Sequence, residues 1–142
     1  MKYHYAVPGD DFAQAGSVSA GMKKILQRLG IPPVIIKRTA VAMYEAEINM
    51  VVHAGGGEID IDISDAAIEI LFRDHGPGIP DISQAMEEGY STAPELVRSL
   101  GFGAGMGLPN MKRNSDEMEI DSVPGAGTTI TMRIRIPEAE AV

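Results

Sequence analysis

Apolar and polar residues alternate with the two-residue period of a β-strand in several stretches of the chain. Residues 58–64, EIDIDIS, alternate strictly and predict a strand with one buried face. Residues 66–74, AAIEILFRD, predict its partner after a short turn near Asp65, so the two form a hairpin. Residues 118–123 and 128–136 predict two further strands on either side of the turn sequence PGAG.

Helices are predicted in the intervals between these strands. Their ranges are residues 10–29, 33–54, 81–89 and 106–114. Asp10 or Asp11 is expected to cap the first helix and Gly30 to end it, while Pro33 suits the first turn of the second. Before the first helix, residues 3–7, YHYAV, fit an edge strand.

The order of the predicted elements indicates the fold class. It is β α α β β α, then a loop at residues 90–105, then α β β. Strands do not alternate singly with helices, which argues against a doubly wound parallel sheet. The order predicts an α+β two-layer sandwich, a mixed, mostly antiparallel sheet covered on one face by helices. The 142 residues are expected to form a single domain.

The composition narrows the range of functions. The formal net charge is −8, whereas nucleic-acid-binding proteins usually carry a basic surface. No apolar run reaches the roughly 18–20 residues of a membrane span, and we expect no signal peptide. The absence of cysteine excludes disulfides and fits a cytoplasmic protein. An acidic protein can still bind an anion such as ATP through backbone N–H groups, a helix N-terminus or a divalent cation.

Glu45 and Asn49 stand one turn apart in a part of the second helix that also carries the apolar residues Val41, Met43, Ile48, Val51 and Val52. This spacing places them on one face, about 40° apart around the helix axis. An asparagine carbonyl suits Mg²⁺, and a carboxylate beside it can take a proton from a nucleophile. A solvated polar face is the alternative explanation, and the pattern alone leaves both open.

Asp74 ends a predicted strand and is followed by the stiff loop HGPGIP, residues 75–80. An aspartate at a strand end can accept a hydrogen bond from an exocyclic amine such as adenine N6. Gly76 and Gly78 permit close approach and positive φ, and the prolines hold the shape of the loop. An ordinary tight turn would have the same composition.

Glycine-rich segments occur twice in the last third of the chain. GFGAGMG, residues 101–107, directly precedes a predicted helix, so its N–H groups and that helix N-terminus would form an anion cradle. Its spacing fits neither a dinucleotide-fold turn nor a P-loop, and a flexible linker is the alternative. GAGTT, residues 125–129, would by itself be a glycine turn in the last hairpin.

Taken in order, these motifs resemble the ATP site of the GHKL (Bergerat-fold) superfamily, which includes gyrase, Hsp90, histidine kinases and MutL. The resemblance covers residues 35–135: E-x-x-x-N on a helix, D-x-G-x-G after a strand, a glycine-rich lid before a helix, and G-x-G-T. DHGPGIPDISQAMEEGYST, residues 74–92, is similar to stressosome switch kinases, which are serine/threonine kinases of the anti-sigma-factor type. PELVRS, residues 94–99, resembles the lid of the sporulation anti-sigma kinase.

The resemblance implies a role for each matching position. Glu45 corresponds to the general base, Asn49 to the Mg²⁺ ligand and Asp74 to the acceptor for adenine N6. Arg98 corresponds to a lid arginine that meets the γ-phosphate, with a solvated arginine as the alternative. The other implied ATP contacts are Gly76, Gly78, Ile79, Gly101, Gly103, Ala104, Gly105, Met106, Gly107 and Leu108, with Thr128 or Thr129 as the adenine-side hydroxyl.

The resemblance also implies a function. It indicates a protein kinase that uses Mg-ATP to phosphorylate serine or threonine on a STAS-domain partner, either a stressosome scaffold or an anti-sigma antagonist. The kinase would then pass to a second output partner, such as a phosphatase or another signalling enzyme. The alternatives are an anti-sigma factor acting mainly by sequestration, a stand-alone ATPase fragment, and a degenerate fold without nucleotide. No nucleic-acid or membrane partner is expected, and the choice between monomer and homodimer stays open.

Overall fold

In the part of the chain that the structure describes, five strands form one sheet and three helices lie against one of its faces. A computed structural model describes residues 1–9, 15–76 and 107–137. The elements are β1 (Lys2–Pro8), α1 (Ser17–Arg28), α2 (Pro33–His53), β2 (Gly56–Ile63), β3 (Ala67–Arg73), α3 (Gly107–Asn114), β4 (Glu117–Val123) and β5 (Gly127–Arg135). The strand order is β1-β2-β3-β5-β4, and all four pairs of neighbouring strands are antiparallel. The predicted α+β fold with a mostly antiparallel sheet is confirmed.

The alternation along the strands decides which face of the sheet is buried. Most apolar side chains of β2, β3 and β5 point towards the helices. Those that are buried are Ile59, Ile61, Ile63, Ile68, Ile70, Phe72, Ile130, Met132 and Ile134. The opposite face carries charged side chains paired across strands, such as Arg133 with Glu69 at 2.7 Å. The hydrophobic core therefore lies between the sheet and the helices.

The central helix of this layer is α2. It packs on the sheet and is flanked by α1 on one side and α3 on the other. Packing on several sides explains why its sequence is apolar around most of its circumference. As a result, a polar side chain on α2 meets another element more often than it meets solvent.

The helix boundaries agree with the predictions except at the start of α1. α1 begins at Ser17 with Gly16 at the cap position, where φ is 94°, and not at residue 10 as predicted. Asp10 and Asp11 themselves lie outside the described residues. Gly30 follows the last turn with φ 74°, as expected for a helix stop. The predicted helix at 81–89 and loop at 90–105 lie outside the described residues. Within the described ranges, no helix has the length and apolar character needed to cross a membrane.

Candidate active site

Glu45 and Asn49 face the first turn of α3. The Asn110 side chain donates from Nδ2 to Glu45 Oε1 at 3.2 Å. A Cβ atom at Gly107 would lie 3.1 Å from both Asn49 Nδ2 and Asn49 Oδ1, so the Asn49 amide packs closely against the backbone of Gly107. Both α2 side chains are half-buried. The predicted pair therefore lies in a junction between two helices, and a freely solvated polar face does not describe it.

Asp74 is fixed by the start of β5. Its Oδ1 accepts hydrogen bonds from the backbone N–H of Gly76 at 3.0 Å and of Thr128 at 3.1 Å. Its own N–H donates to the carbonyl oxygen of Thr128 at 3.0 Å. Within the described residues, no hydrogen bond reaches Oδ2. The second carboxylate oxygen is thus held in a fixed direction and can accept a hydrogen bond from a donor such as an exocyclic amine.

Strand alternation separates the two threonines that follow Gly127. Thr128 is 7% exposed and points to the helix side of the sheet, where its hydroxyl lies 3.0 Å from the hydroxyl of Ser122. Thr129 pairs with Arg73 and Asp121 in the ladder and points to the opposite face. The structure therefore brings Thr128, and not Thr129, beside Asp74 on the inner side of the sheet.

Two glycines allow the backbone at Asp74 to approach its neighbours. A Cβ atom at Gly127, where φ is 137°, would lie 2.2 Å from the Asp74 carbonyl oxygen. A Cβ atom at Gly76 would lie 2.6 Å from the Cα of Ala54, at the end of α2. The loop after β3 is therefore packed against both β5 and α2, which places Asp74 at the same end of α2 as Asn49.

The remaining predicted contacts divide into two groups. Leu108 is 6% exposed and its side chain belongs to the hydrophobic core, so it can offer a ligand little beyond its backbone. The other group lies outside the described residues and consists of Gly78, Ile79, Arg98, Gly101, Gly103, Ala104, Gly105 and Met106. Within the described residues, the candidate site is therefore limited to Glu45, Asn49, Asp74, Gly76, Gly107 and Thr128.

Sequence reasoning did not find Glu47, the most deeply buried charged residue among those described. It is 1% exposed, and its carboxylate accepts hydrogen bonds from the N–H groups of Gly16 at 2.8 Å, Val18 at 3.3 Å and Ser19 at 3.0 Å. This carboxylate satisfies the free N–H groups at the start of α1. The spacing in the sequence could have indicated its burial, since Glu47 stands four residues after Met43 and three before Met50, and both methionines lie in the core.

Sequence reasoning also did not find Asn110 and Ser122. Asn110 contacts the predicted base, Glu45, and Ser122 contacts the predicted adenine-side hydroxyl of Thr128. Neither residue has a distinctive sequence context, because each partner comes from another element. These contacts could be found only once the helices and strands were placed.

The sequence pattern of the histidine kinase-like ATPase domain family matches residues 10–134. The chain therefore belongs to this family, and the resemblance to GHKL proteins is confirmed. The chain is 38% identical over 112 residues to the serine/threonine-protein kinase RsbT of Bacillus subtilis (strain 168). This match covers 76% of this chain and 78% of that protein. The chain is 34% identical over 104 residues to the anti-sigma F factor of Bacillus licheniformis, covering 69% of this chain and 68% of that protein. Within its family, the chain is a serine/threonine protein kinase.

Solved structures share this fold. The RsbU and RsbW domains of a Mycobacterium tuberculosis protein align over 96% of this chain with a TM-score of 0.64 and 17% identity. This chain spans 32% of that structure's chain. The mycobacterial sensor histidine kinase MprB aligns over 96% of this chain and 98% of its own, with a TM-score of 0.55 and 16% identity. At these identities the likeness concerns the fold alone.

Proposed function

We propose that this chain transfers the γ-phosphoryl group of Mg-ATP to a serine or threonine hydroxyl on a STAS-domain protein. The observation that carries the proposal is the junction of α2 and α3, where Glu45 and Asn49 lie one turn apart against Asn110 and Gly107. Phosphoryl transfer requires mainly positioning and charge stabilisation, so two such side chains at a fixed spacing on one helix suit it. The relationship to the RsbT kinase supports the same reaction.

The adenine end of the nucleotide is assigned to Asp74. Its Oδ2 would accept the hydrogen bond of the exocyclic amine, because its Oδ1 is already engaged with two backbone N–H groups. Gly78 would leave room for the flat base, and the Thr128 hydroxyl would face the adenine side. A guanine would present a carbonyl oxygen to Asp74, and two acceptors would then oppose each other.

The phosphate end is assigned to Asn49 and the glycine-rich segment ending at Gly107. The described residues contain no cluster of three or more metal-ligating side chains. This fits Mg²⁺, which usually takes one or two protein ligands and completes its shell with phosphates and water. Asn49 would supply a carbonyl oxygen, and the metal would offset the negative charge on the phosphates. Arg98 and the N–H groups of residues 101–107 are also assigned to stabilise the negative charge on the phosphates.

Glu45 is assigned the role of general base. The incoming hydroxyl oxygen forms a bond to the γ-phosphorus while the bond from that phosphorus to the β,γ-bridging oxygen breaks. The hydroxyl proton passes to the Glu45 carboxylate, and ADP leaves with the electron pair of the broken bond. Phosphorylation of the STAS-domain protein would release the kinase to a second output partner, a phosphatase or another signalling enzyme.

The direct test uses the purified chain, radiolabelled ATP, Mg²⁺ and the STAS-domain proteins encoded by the same genome. We expect label on a serine or threonine of one of them. Glu45→Gln should abolish the transfer while ATP binding, measured by calorimetry, stays within about twofold of wild type. Glu119→Gln, an exposed glutamate on β4, is the matched control and should transfer at the wild-type rate. Full transfer by Glu45→Gln would show that Glu45 is not the general base.

Sequestration of a sigma factor is the second candidate, favoured by the similarity to anti-sigma F factors. Under this alternative the chain binds a sigma factor and transfers little phosphate. A pull-down with and without ATP, run beside the transfer assay, separates the two functions. Retention of a sigma factor without label on any STAS-domain protein would favour sequestration.

A further inference from the structure

Three side chains form a continuous hydrogen-bonded chain that ends on Glu45. Arg113 donates from Nη1 to Asn110 Oδ1 at 3.3 Å, and Asn110 donates from Nδ2 to Glu45 Oε1 at 3.2 Å. Arg113 and Asn110 lie one turn apart on α3, whereas Glu45 lies on α2 and is 65 residues away from Asn110 in sequence. Asn110 therefore links the predicted base to a second helix.

The chemistry of the two end groups determines the orientation of the Asn110 amide. A guanidinium can only donate hydrogen bonds, and an ionised carboxylate can only accept them. The amide oxygen must therefore face Arg113 and the amide nitrogen must face Glu45. A flipped amide would place donor against donor at one end and acceptor against acceptor at the other. The arrangement thus presents a fixed N–H donor to the carboxylate.

The position of α3 is itself fixed by packing. Leu108 and Met111 are 6% and 0% exposed and belong to the hydrophobic core. On the side facing α2, Gly107 lies against Asn49 and Asn110 lies against Glu45. These contacts run in opposite directions along the two helices, so one antiparallel pair of turns holds both predicted functional side chains. Any rotation of α3 would disturb its core residues together with Asn110.

We propose that Asn110 is a positioning residue for Glu45. Its N–H group engages Oε1 and so directs Oε2 towards the hydroxyl of the protein substrate. Within the described residues, this is the one hydrogen bond made to the Glu45 carboxylate. A glutamate side chain without it would sample several rotamers, and the reactive geometry would be populated less often. The inference rests on the proposed function, because it assigns the role of Asn110 in that same transfer.

A merely structural tie between α2 and α3 is the alternative role for Asn110. The two roles differ in what a substitution changes. Loss of a structural tie lowers the melting temperature and leaves the pH dependence of transfer unchanged. Loss of a positioning contact lowers kcat at nearly constant KM for ATP and alters the acidic side of the pH–rate profile.

The contact can be tested without any kinase assay. In nuclear magnetic resonance spectra of the whole chain, the Asn110 side-chain NH₂ signals should move as pH is lowered and the Glu45 carboxylate takes up a proton. The same movement should be absent in Glu45→Gln, which has no proton to take up at that position. An unchanged pH response in Glu45→Gln would overturn the contact and the proposal with it.

The catalytic role is tested with Asn110→Ala and Asn110→Asp in the STAS-domain transfer assay. Asn110→Ala should lower kcat about tenfold at an unchanged KM for ATP, because the carboxylate is no longer directed. Asn110→Asp should be slower still at neutral pH and should move the acidic limb of the profile to higher pH, since a second carboxylate opposes ionisation of Glu45. Gln27→Glu, at an exposed position on α1, is the matched control, as it adds the same charge away from α3 and should leave the profile in place.

The outcomes separate this proposal from the proposed function. If the wild type labels no STAS-domain protein, the proposed function fails and the role of Asn110 in transfer fails with it. If the wild type transfers phosphate and both Asn110 variants match its rate and pH profile, only the positioning role fails. A lower kcat accompanied by a pH profile like that of the wild type would also overturn it, in favour of a structural tie.

Discussion

At the scale of single residues, the candidate site contains side chains whose polar atoms already have hydrogen-bond partners in the protein. Oδ1 of Asp74 accepts hydrogen bonds from the N–H groups of Gly76 and Thr128, and these bonds fix the direction of Oδ2. Thr128 is buried and holds its hydroxyl against Ser122. Preorganised acceptors of this kind lose little conformational entropy when a ligand arrives. Discrimination between purines is therefore expected to depend on Asp74.

Asp74→Asn tests that role with almost no change of shape. The new Oδ1 can still accept both backbone N–H groups, but the amide nitrogen now presents a donor to the donor of adenine N6. We expect the Kd for ATP to rise roughly tenfold to a hundredfold, which corresponds to about 1.4–2.7 kcal/mol. Titration calorimetry with Mg-ATP measures this change.

Asp65→Asn, in the exposed turn between β2 and β3, is the matched control and should bind ATP like the wild type. Circular dichroism of both variants checks that the fold is retained. Equal affinities of Asp74→Asn and the wild type would exclude Asp74 from the nucleotide site.

At the scale of elements, α2 organises the helical layer through its side chains. Glu47 reaches α1, while Glu45 and Asn49 reach α3. Residues two positions apart lie about 200° apart around a helix, so these contacts leave α2 on opposite sides. One short stretch of sequence thus joins the cap of α1 to the predicted catalytic pair.

Glu47→Gln should weaken the attachment of α1 to α2. The neutral amide has one acceptor oxygen, and its NH₂ group would oppose at least one of the N–H groups of Gly16, Val18 and Ser19. Hydrogen bonds to a buried charged group are worth about 1.5–3 kcal/mol each, so we expect the free energy of unfolding to fall by about 2–3 kcal/mol. Urea denaturation followed by circular dichroism measures this loss.

The control for this substitution is Glu69→Gln, at an exposed position on β3. Its partner Arg133 lies 2.7 Å away on the outer face of the sheet, and such exposed pairs contribute little. The free energy of unfolding of this variant should stay within about 1 kcal/mol of wild type. A Glu47→Gln variant as stable as Glu69→Gln would show that the α1 cap contributes nothing measurable.

At the scale of the whole molecule, Asp116 connects parts of the chain that are distant in sequence. It accepts the backbone N–H of Arg135 at 2.7 Å and a hydrogen bond from the Arg38 guanidinium at 3.2 Å. The Arg135 hydrogen bond, followed by the hydrogen bond and charge of Arg38, lowers the pKa of Asp116 below its ordinary value of 3.8. This carboxylate ties β5, α2 and the turn between α3 and β4 together.

Acid should remove the contribution of the Asp116 carboxylate to the stability of the folded chain. Because the pKa of Asp116 is lower in the folded chain, the unfolded chain binds more protons, and stability falls as the pH falls. The contribution of Asp116 is present above pH 3.8 and is lost below it, as the pH passes through the folded pKa. The difference in melting temperature between wild type and Asp116→Asn should therefore be largest near pH 7 and shrink below pH 4.

Melting curves from pH 7 to pH 3 measure this difference. Asp121→Asn, an exposed aspartate on β4, is the control and should melt at nearly the wild-type temperature at neutral pH. A difference in melting temperature between wild type and Asp116→Asn that stays constant down to pH 3 would mean that ionisation of Asp116 does not contribute to stability.

The periodicity of the sequence was enough to predict the five described strands, most bounds of the described helices, and the fold class. The period of a strand or helix is a local property, so EIDIDIS could be recognised as β2 without reference to the rest of the chain. The spacing of Glu45 and Asn49 and the position of Asp74 after β3 were likewise local. These predictions succeeded because the information lies within a few neighbouring residues.

The tertiary structure decided the contacts between elements. Only the packed helices show that Glu47 caps α1 and that Asn110 meets Glu45. Only the strand register places Thr128 on the inner side of the sheet beside Asp74 and Thr129 on the outer side. The partners in these contacts lie between 28 and 65 residues apart. Contacts at such separations depend on topology and packing, which no local pattern encodes.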